Sequence, residues 1–352
     1  MEPATPDYEA LDEALAVLAP AGPELANGNS NHAPMAIEAM CVLGRGDAAL
    51  PWLDRYRDGL VPRRARVERI DAADWRAALG DLRRAGDWFA FFQNELEEHP
   101  WRTVLDRWTG RLAPGIVAAA FHGVIRTGHA VRALAADETP ARRRELADGL
   151  AYWAAEYQTL PGARRTGSGV LPAQAIARVP IVPPAERLQA ESLTGALMKL
   201  ASFPAFADTL GAVDPADDTL GFLADLTGTF TRVYLSNARD WLTSIAFVHT
   251  VTGPAALRPM LPHLAPETAQ AALAYAWQAA AALYATFGSE TRVGGSPPAV
   301  ADAEGLVDRA IACGDEHAIK FTAACLGERA VVARPEFLAA AAHATGVLGA
   351  PA

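Results

Sequence analysis

The feature that most constrains this chain is a helical spacing of apolar residues that recurs along almost its whole length. In a series of stretches, apolar residues repeat at steps of three and four, which places them on one face of an α-helix. These stretches are residues 8–19, 33–44, 75–99, 115–136, 141–158, 190–211, 217–250, 266–286, 300–312 and 316–326. Alternation of the strand type, bounded by turn residues, is scarce. The sequence therefore predicts an all-α fold.

Turn residues interrupt this pattern at a few places, of which the longest is residues 161–184. The stretch is rich in proline and glycine, and VPIVPP closes it at 179–184. Shorter turns are predicted at GNSN (28–31) and GGSPP (294–298). A segment as long as 161–184 indicates either a functional loop or a divide between domains. We predict one large domain like a helical bundle over residues 1–352, with a long loop near 161–184.

The charge and the apolar runs exclude several classes of partner. The formal net charge is −10 and the isoelectric point is about 5.3, which argues against a nucleic-acid surface. No apolar run reaches the roughly 18 residues of a membrane span, and the acidic N-terminal stretch lacks the basic start of a signal peptide. Three widely separated cysteines do not indicate a disulfide framework. We expect a cytoplasmic protein without nucleic-acid or membrane partners; nothing in the sequence indicates an oligomeric state.

Five of the eight histidines lie on otherwise apolar helical segments. They are His32, which follows a polar turn, His122 and His129, which share one face, His249 in SIAFVHTVTG, and His317 in DEHAIKF. Each taken alone is most simply a core histidine with a hydrogen-bonded partner. As a set, they must all be desolvated unless they share partners, and a common transition metal is one solution. Exposed or capping roles are expected for His99, His263 and His343.

The chain has 31 basic residues, and only Lys199 and Lys320 are lysines. Lys320 follows His317 by three residues, so both side chains lie side by side on a helix. It is either an ordinary cation paired with Asp315 or Glu316, or a buried amine, which loses its proton far more readily than arginine does. A neutral amine can act as a base, form a Schiff base, or add carbon dioxide to give a carbamate. Beside a metal ion the carbamate would be an anionic oxygen ligand.

Several blocks that carry these residues resemble the questin oxidase-like family. In chain order they are SNHAPMAIEAM (30–40), FHGVIRTGHAVRAL (121–134), YWAAEYQTLPG (152–162), FVHTVTGPAALR (247–258) and DEHAIKF (315–321). Fungal members are linked to the oxidative opening of anthraquinone rings in the polyketide pathways of secondary metabolism. The ring-opening branch uses a non-haem iron held by four histidines and a carboxylated lysine. The resemblance thus implies Fe(II), with dioxygen as co-substrate and NADPH as an external reductant, although the sequence has no GxGxxG motif after a strand.

Carried onto this chain, the resemblance implies a metal site with imidazole ligands at His32, His122, His249 and His317 and a carbamate oxygen ligand at Lys320. His129 departs from the fungal pattern, which tends to have an aromatic residue there, and is placed in the substrate pocket or beside a ligand. If His129 is a ligand instead, it replaces His32, whose turn is flexible. Arg126 shares the face of His122 and could stabilise an enolate or phenolate of the substrate.

Three functions follow from these residues, and the sequence leaves all three open. The first is an iron-dependent oxygenase that acts on an aromatic or quinone-type small molecule by ring opening or by Baeyer–Villiger-like oxygen insertion. Trp88, Phe92 and Tyr157 are candidate walls of its substrate site, although aromatic residues at helical spacing are more often core. The second is a metallohydrolase with the same carboxylated lysine. The third is a binder of aromatic metabolites without catalysis. Iron content with oxygen consumption would support the oxygenase, and zinc content with hydrolysis would support the metallohydrolase. Ligand affinity that is unchanged without metal would support the binding protein.

Overall fold

The computed structural model describes residues 6–166, 169–190, 192–289 and 303–349. The helices in these ranges are α1 (Glu9–Leu18), α2 (Ala33–Val42), α3 (Ala49–Tyr56), α4 (Ala85–Glu98), α5 (Trp101–Leu112), α6 (His122–Ala136), α7 (Pro140–Ala155), α8 (Pro172–Ala175), α9 (Leu193–Leu197), α10 (Thr219–Asn237), α11 (Trp241–Ala255), α12 (Pro266–Phe287), α13 (Ala303–Cys313), α14 (Glu316–Val331) and α15 (Pro335–Leu348). Two short antiparallel strands, β1 (Ala21–Leu25) and β2 (Leu60–Pro62), are the strands of the described part. The predicted all-α fold is confirmed.

The predicted helical stretches differ from the observed helices mainly where proline and glycine interrupt the backbone. The stretch 217–250 is two helices, and the carboxylate of Asp240 caps the second by accepting from the Thr243 N–H at 2.8 Å. The helix predicted over 190–211 is wrong, because the described residues 192–211 hold only α9 and short 3₁₀ turns. Pro204 has no N–H to donate and restricts Phe203 to a non-helical conformation, so apolar spacing alone could not form a long helix there.

The proline-rich segment is the long loop that was predicted. Its described residues, 161–166 and 169–183, contain only α8 and one 3₁₀ turn as helical elements. It packs against the rest of the molecule through α12. The Gln278 side chain donates to the Pro161 carbonyl at 2.8 Å, and the Val182 N–H donates to the Ala285 carbonyl at 2.8 Å. One hydrophobic cluster contains residues from both sides of this segment, so the loop does not separate two cores. The turn predicted at 294–298 lies outside the described residues.

Four helices, α2, α6, α11 and α14, surround one region of the interior. α2 contacts α6 and α14, and α11 contacts the same two helices. Glycines permit the close approach of α6 to its neighbours: a Cβ on Gly123 would lie 2.5 Å from the Trp153 Cα on α7. Gly253 of α11 likewise faces the Phe121 ring, which precedes α6. Among the described helices, none combines the length and the apolar character that a bilayer span requires.

Candidate metal centre

Four imidazoles from four helices meet in the region that α2, α6, α11 and α14 enclose. His32 is the N-cap of α2, His122 opens α6, His249 lies in α11, and His317 lies in the first turn of α14. The ring centroids of His32 lie 4.5 Å from those of both His122 and His317. The His249 ring lies 4.7 Å from His122 and 5.3 Å from His317. The four side chains predicted as ligands therefore form one cluster, which we call the imidazole cluster.

Two members of the imidazole cluster have their ring orientation and tautomer set by backbone carbonyls. The Nδ1 of His122 is hydrogen-bonded to the Ala119 carbonyl, and the Nδ1 of His249 to the Ile245 carbonyl at 2.7 Å. A carbonyl can only accept, so both Nδ1 atoms carry the proton and both Nε2 atoms present a lone pair. Histidines that bind metals typically donate their other N–H in this way.

The two Nε2 atoms of His122 and His249 lie 3.3 Å apart. With both protons on Nδ1, this contact is not a hydrogen bond, because it places one lone pair against another. Two ligand nitrogens about 2.1 Å from one ion, and at right angles to each other, lie about 3.0 Å apart. The spacing thus matches the geometry that a shared cation requires, and a cation between the two nitrogens would remove the repulsion.

The turn that precedes α6 has an unusual backbone that brings a carbonyl onto His122. Ala119, Ala120 and Phe121 have φ angles of 46°, 53° and 72° in sequence. L-residues in this left-handed region carry strain, on the order of 1 kcal/mol or more each, and such strain concentrates at functional sites. Here it folds the Ala119 carbonyl back onto the His122 ring. No pattern in the sequence predicted this turn.

The amine of Lys320 lies beside the imidazole cluster without a partner. The residue is only 2% exposed, and among the described residues its Nζ makes no hydrogen bond and no ion pair. Burial lowers the pKa of Lys320 to about 8, against a partial opposing effect of Glu316 and Asp315. Lys199 differs in its surroundings, since its side chain is 18% exposed and its amine is 3.4 Å from the Glu186 carboxylate. Lys320 is therefore the lysine with access to a neutral amine near neutral pH.

The donor set of this region suits a divalent transition metal. Burial is the largest of the effects that lower the pKa values of His32, His122 and His249 well below the ordinary value, which keeps these rings in the neutral form that binds metals. Ligand atoms of His32, His122 and His317 all lie within 4.8 Å of one another. Buried polar atoms rarely lack partners in folded proteins, yet within the described residues the Lys320 Nζ has none. The Nδ1 atoms of His32 and His317 make no hydrogen bond, and carboxylate oxygens lie 3.2 and 3.6 Å from them. The unpaired amine and the facing Nε2 atoms of His122 and His249 fit a centre that an ion completes.

The two remaining candidates, Arg126 and His129, lie next to the imidazole cluster on α6 but are held by carboxylates. Arg126 donates to Glu145 through Nε at 2.6 Å and Nη2 at 2.8 Å. The Nδ1 of His129 lies 2.6 Å from a Glu38 oxygen. The cluster is thus built with His32 rather than His129. Sequence reasoning missed Glu38 and Glu145, although a glutamate inside an apolar helical run such as PMAIEAMCV is itself a signal of a buried partner.

Of the three aromatic residues considered as substrate walls, two lie in the core and the third, Tyr157, is partly buried at its edge. Trp88 and Phe92 are fully buried and pack edge-to-face against Trp108, and Tyr157 packs against Gly115. Two large clefts, of about 430 and 570 Å³, are lined by residues such as Arg69 and Arg187, away from the imidazole cluster. Against expectation, His343 is bonded to the Tyr234 hydroxyl at 2.9 Å. His263 packs edge-on against Trp101, and His99 caps the C-terminus of α4.

The fold and this site define a class: all-α proteins with a buried, imidazole-rich centre. A model of the questin oxidase-like family matches residues 30–325, which include the whole imidazole cluster and Lys320, and the chain belongs to this family. Membership implies an oxidoreductase and suggests an oxygenase. Among the curated proteins no match is found.

Proposed function

We propose that this protein is a non-haem iron oxygenase that acts on an anthraquinone-like small molecule by ring opening or oxygen insertion. Its Fe(II) would be held by His32, His122, His249 and His317 and by a carbamate formed on Lys320. The observation that carries the proposal is the convergence of four buried imidazoles beside a buried lysine amine without a partner. Family membership favours oxidation over hydrolysis as the chemistry of this centre.

The four imidazoles would supply neutral nitrogen donors, a type that suits iron. Fe(II) bound there would supply the activation of dioxygen. The protein's own contribution is to hold the rings before the ion arrives. The carbonyls of Ala119 and Ile245 fix two rings with Nε2 directed inward, so metal binding requires little reorientation.

Lys320 would contribute the only anionic donor of the set. The neutral Nζ attacks the carbon of CO₂, an N–C bond forms, one C–O π bond opens onto oxygen, and Nζ releases a proton. The product is a carbamate with one negative charge. This step requires an uncharged amine, which the lowered pKa of about 8 provides in a fraction of molecules near neutral pH. The helices α2, α6 and α14 all begin at this region, and their N-terminal dipoles favour an anion there.

Two residue pairs beside the imidazole cluster, His129–Glu38 and Arg126–Glu145, suit proton transfer and the stabilisation of negative charge at the substrate. Glu38 accepts from the Nδ1–H of His129, so the Nε2 of His129 is the atom left to take a proton from a substrate hydroxyl. Arg126 is held by Glu145 through Nε and Nη2, and its Nη1 makes no hydrogen bond among the described residues. That group would be the donor to an enolate or phenolate oxygen.

Metal analysis combined with an oxygen-consumption assay tests the proposal. The protein is loaded with Fe(II) in bicarbonate and mixed with a hydroxyanthraquinone, with and without NADPH. We expect iron at the site, oxygen uptake that requires it, and a carbamate signal on Lys320 in ¹³C NMR after labelling with ¹³C-bicarbonate. Zinc with hydrolytic turnover would instead favour the metallohydrolase. Equal ligand affinity and stability without any metal would favour a binding protein and refute the oxygenase.

A further inference from the structure

A carboxylate outside the predicted ligand set lies at the imidazole cluster. Glu316 opens α14, and its Oε1 lies 3.2 Å from the Nδ1 of His32 and 3.9 Å from the Nδ1 of His317. Its side chain is 25% exposed, whereas that of His32 is only 4% exposed. Glu316 therefore lies between the buried rings and the solvent. The sequence indicated it only as a partner for Lys320.

The neighbouring acidic residue does not compete with Glu316 for this role. Asp315 is the N-cap of α14, and its Oδ1 accepts from the backbone N–H groups of His317 and Ala318 at 2.8 and 3.0 Å. Its distance to the His317 Nδ1 is 3.6 Å, too long for a hydrogen bond. Of the two acidic residues, Glu316 is the one whose carboxylate faces His32.

His32 lacks the backbone carbonyl partner that fixes the rings of His122 and His249. The Nδ1 atoms of His122 and His249 are bonded to carbonyls one helical turn or less away. The Nδ1 of His32 is buried, and among the described residues no group meets it with hydrogen-bond geometry. The Glu316 Oε1 lies 3.2 Å from this nitrogen, at the long end of the hydrogen-bonding range. The His32 backbone is meanwhile fixed by its N–H, which donates to the Tyr56 hydroxyl at 2.8 Å.

We infer that Glu316 is a positioning residue of the centre: its carboxylate accepts the Nδ1–H of His32 and so directs the His32 Nε2 lone pair to the metal. This inference rests on the proposed function. A carboxylate–histidine–metal arrangement is the usual way to fix a ligand ring that has no carbonyl partner. Glu316 also balances charge. A divalent ion with four neutral imidazoles and one carbamate keeps one positive charge, and the Glu316 carboxylate neutralises it where burial makes an unpaired charge costly.

The test compares Glu316→Ala with Glu316→Gln, because the glutamine side chain keeps an acceptor oxygen but lacks the charge. The tautomer of His32 is read by long-range ¹H–¹⁵N NMR on the metal-free protein, with the signal assigned by a His32→Gln variant. We expect the proton on Nδ1 in the wild type and in Glu316→Gln, and a mixture of tautomers in Glu316→Ala. Asp315→Asn, which keeps the helix cap, should leave the His32 tautomer unchanged.

Fe(II) affinity is the second readout. We expect Glu316→Ala to bind Fe(II) about 10- to 100-fold more weakly, as for other partners of ligand histidines, and Glu316→Gln to lose less. A His32 proton on Nε2 in the wild type, or a tautomer that Glu316→Ala does not change, would overturn the inference. So would loss of nearly all Fe(II) in Glu316→Gln with the tautomer intact, since Glu316 would then be a ligand. If the wild type binds no metal at all, the proposed function fails while the tautomer result still decides the role of Glu316 toward His32.

Discussion

Two buried polar regions share one face of α6, and they differ in how completely their polar atoms are paired. In the region around Glu38, which we call the Glu38 network, the carboxylate is bonded to Tyr8, His129 and Arg132, with three of the four contacts between 2.6 and 2.8 Å. In the imidazole cluster, seven residues away along the helix, the Lys320 amine has no partner among the described residues. The Nδ1 atoms of His32 and His317 make no hydrogen bond there, although carboxylate oxygens lie 3.2 and 3.6 Å away. A paired buried network stabilises a fold, whereas unpaired buried groups call for an explanation, and an absent ion is a specific one.

Substitution of Lys320 is the strongest test of the difference between these two regions. Lys320→Arg keeps a cation but removes the chemistry of a neutral amine, since a guanidinium is not deprotonated in proteins. We expect Fe(II) binding and oxygen consumption to fall by at least about a hundredfold, because even the outer partners of ligands are worth 10- to 100-fold. Lys199→Arg, at a partly exposed position beside Glu186, should change neither. Equal tolerance of both substitutions would remove the case for the carbamate.

The unpaired amine should also cost stability, and that cost should depend on pH. Burial depresses the pKa of Lys320 to about 8 from an ordinary value of 10.5. Between these two values the unfolded chain binds a proton that the folded protein does not, so the free energy of unfolding rises with pH. Below pH 8 the full penalty, about 3 kcal/mol, is present.

The substitution Lys320→Met removes this penalty, so the difference in free energy of unfolding between the variant and the wild type measures it. In protein free of metal and CO₂, the variant should exceed the wild type in stability by about 3 kcal/mol at pH 7. The gap should shrink as the pH rises from about 8 toward 10.5, which denaturant titrations at several pH values would follow. Lys199→Met should show no such trend. A gap that stays constant with pH would mean that Lys320 is paired or hydrated in solution.

The sequence predicted the residues of the imidazole cluster better than the groups that orient them. His32, His122, His249, His317 and Lys320 stood out because polar side chains are unusual in apolar helical runs, and the family resemblance linked them. Their partners are the Ala119 and Ile245 carbonyls, which are backbone atoms that no residue type reveals. The helices were predictable from periodicity, except in 190–211, where Pro204 overrides it. Periodicity also extended α4 and α6 too far toward their N-termini, over 75–84 and 115–121, where the structure has 3₁₀ segments and the left-handed turn.

Removal of the charge at the centre of the Glu38 network should affect stability and leave metal binding unchanged. Burial raises the pKa of Glu38, but Arg132 and His129 outweigh it and bring the pKa down to about 2. Glu38→Gln leaves Arg132 without its carboxylate. Because Arg132 is about one-third exposed, we expect a loss of about 2 kcal/mol, less than for a fully buried pair.

Denaturation of Glu38→Gln would measure this loss of stability. The Fe(II) content of the folded fraction would test whether metal binding is unchanged. Glu13→Gln, an isosteric change at an exposed position of the adjacent helix α1, is the control and should be neutral. If Glu38→Gln instead loses metal at unchanged stability, the Glu38 network belongs to the metal centre. The extent of hydrogen bonding would then not distinguish a stabilising region from a metal-binding one in this protein.

The smallest expected effect concerns the strained turn that holds His122, and it separates strain from function within the imidazole cluster itself. Ala119 has a φ of 46°, and glycine adopts such an angle without a steric penalty. Ala119→Gly should therefore raise the free energy of unfolding by about 1 kcal/mol or less. It should also loosen the carbonyl that orients His122, so Fe(II) affinity should fall, by less than about tenfold. Ala216 has a φ of 47° in a surface turn outside the cluster, so Ala216→Gly should stabilise the protein without weakening metal binding. A gain in stability with a loss of Fe(II) affinity in Ala119→Gly, but not in Ala216→Gly, would show that the strain at 119–121 serves the metal centre. A gain in both stability and Fe(II) affinity in Ala119→Gly would show that it does not.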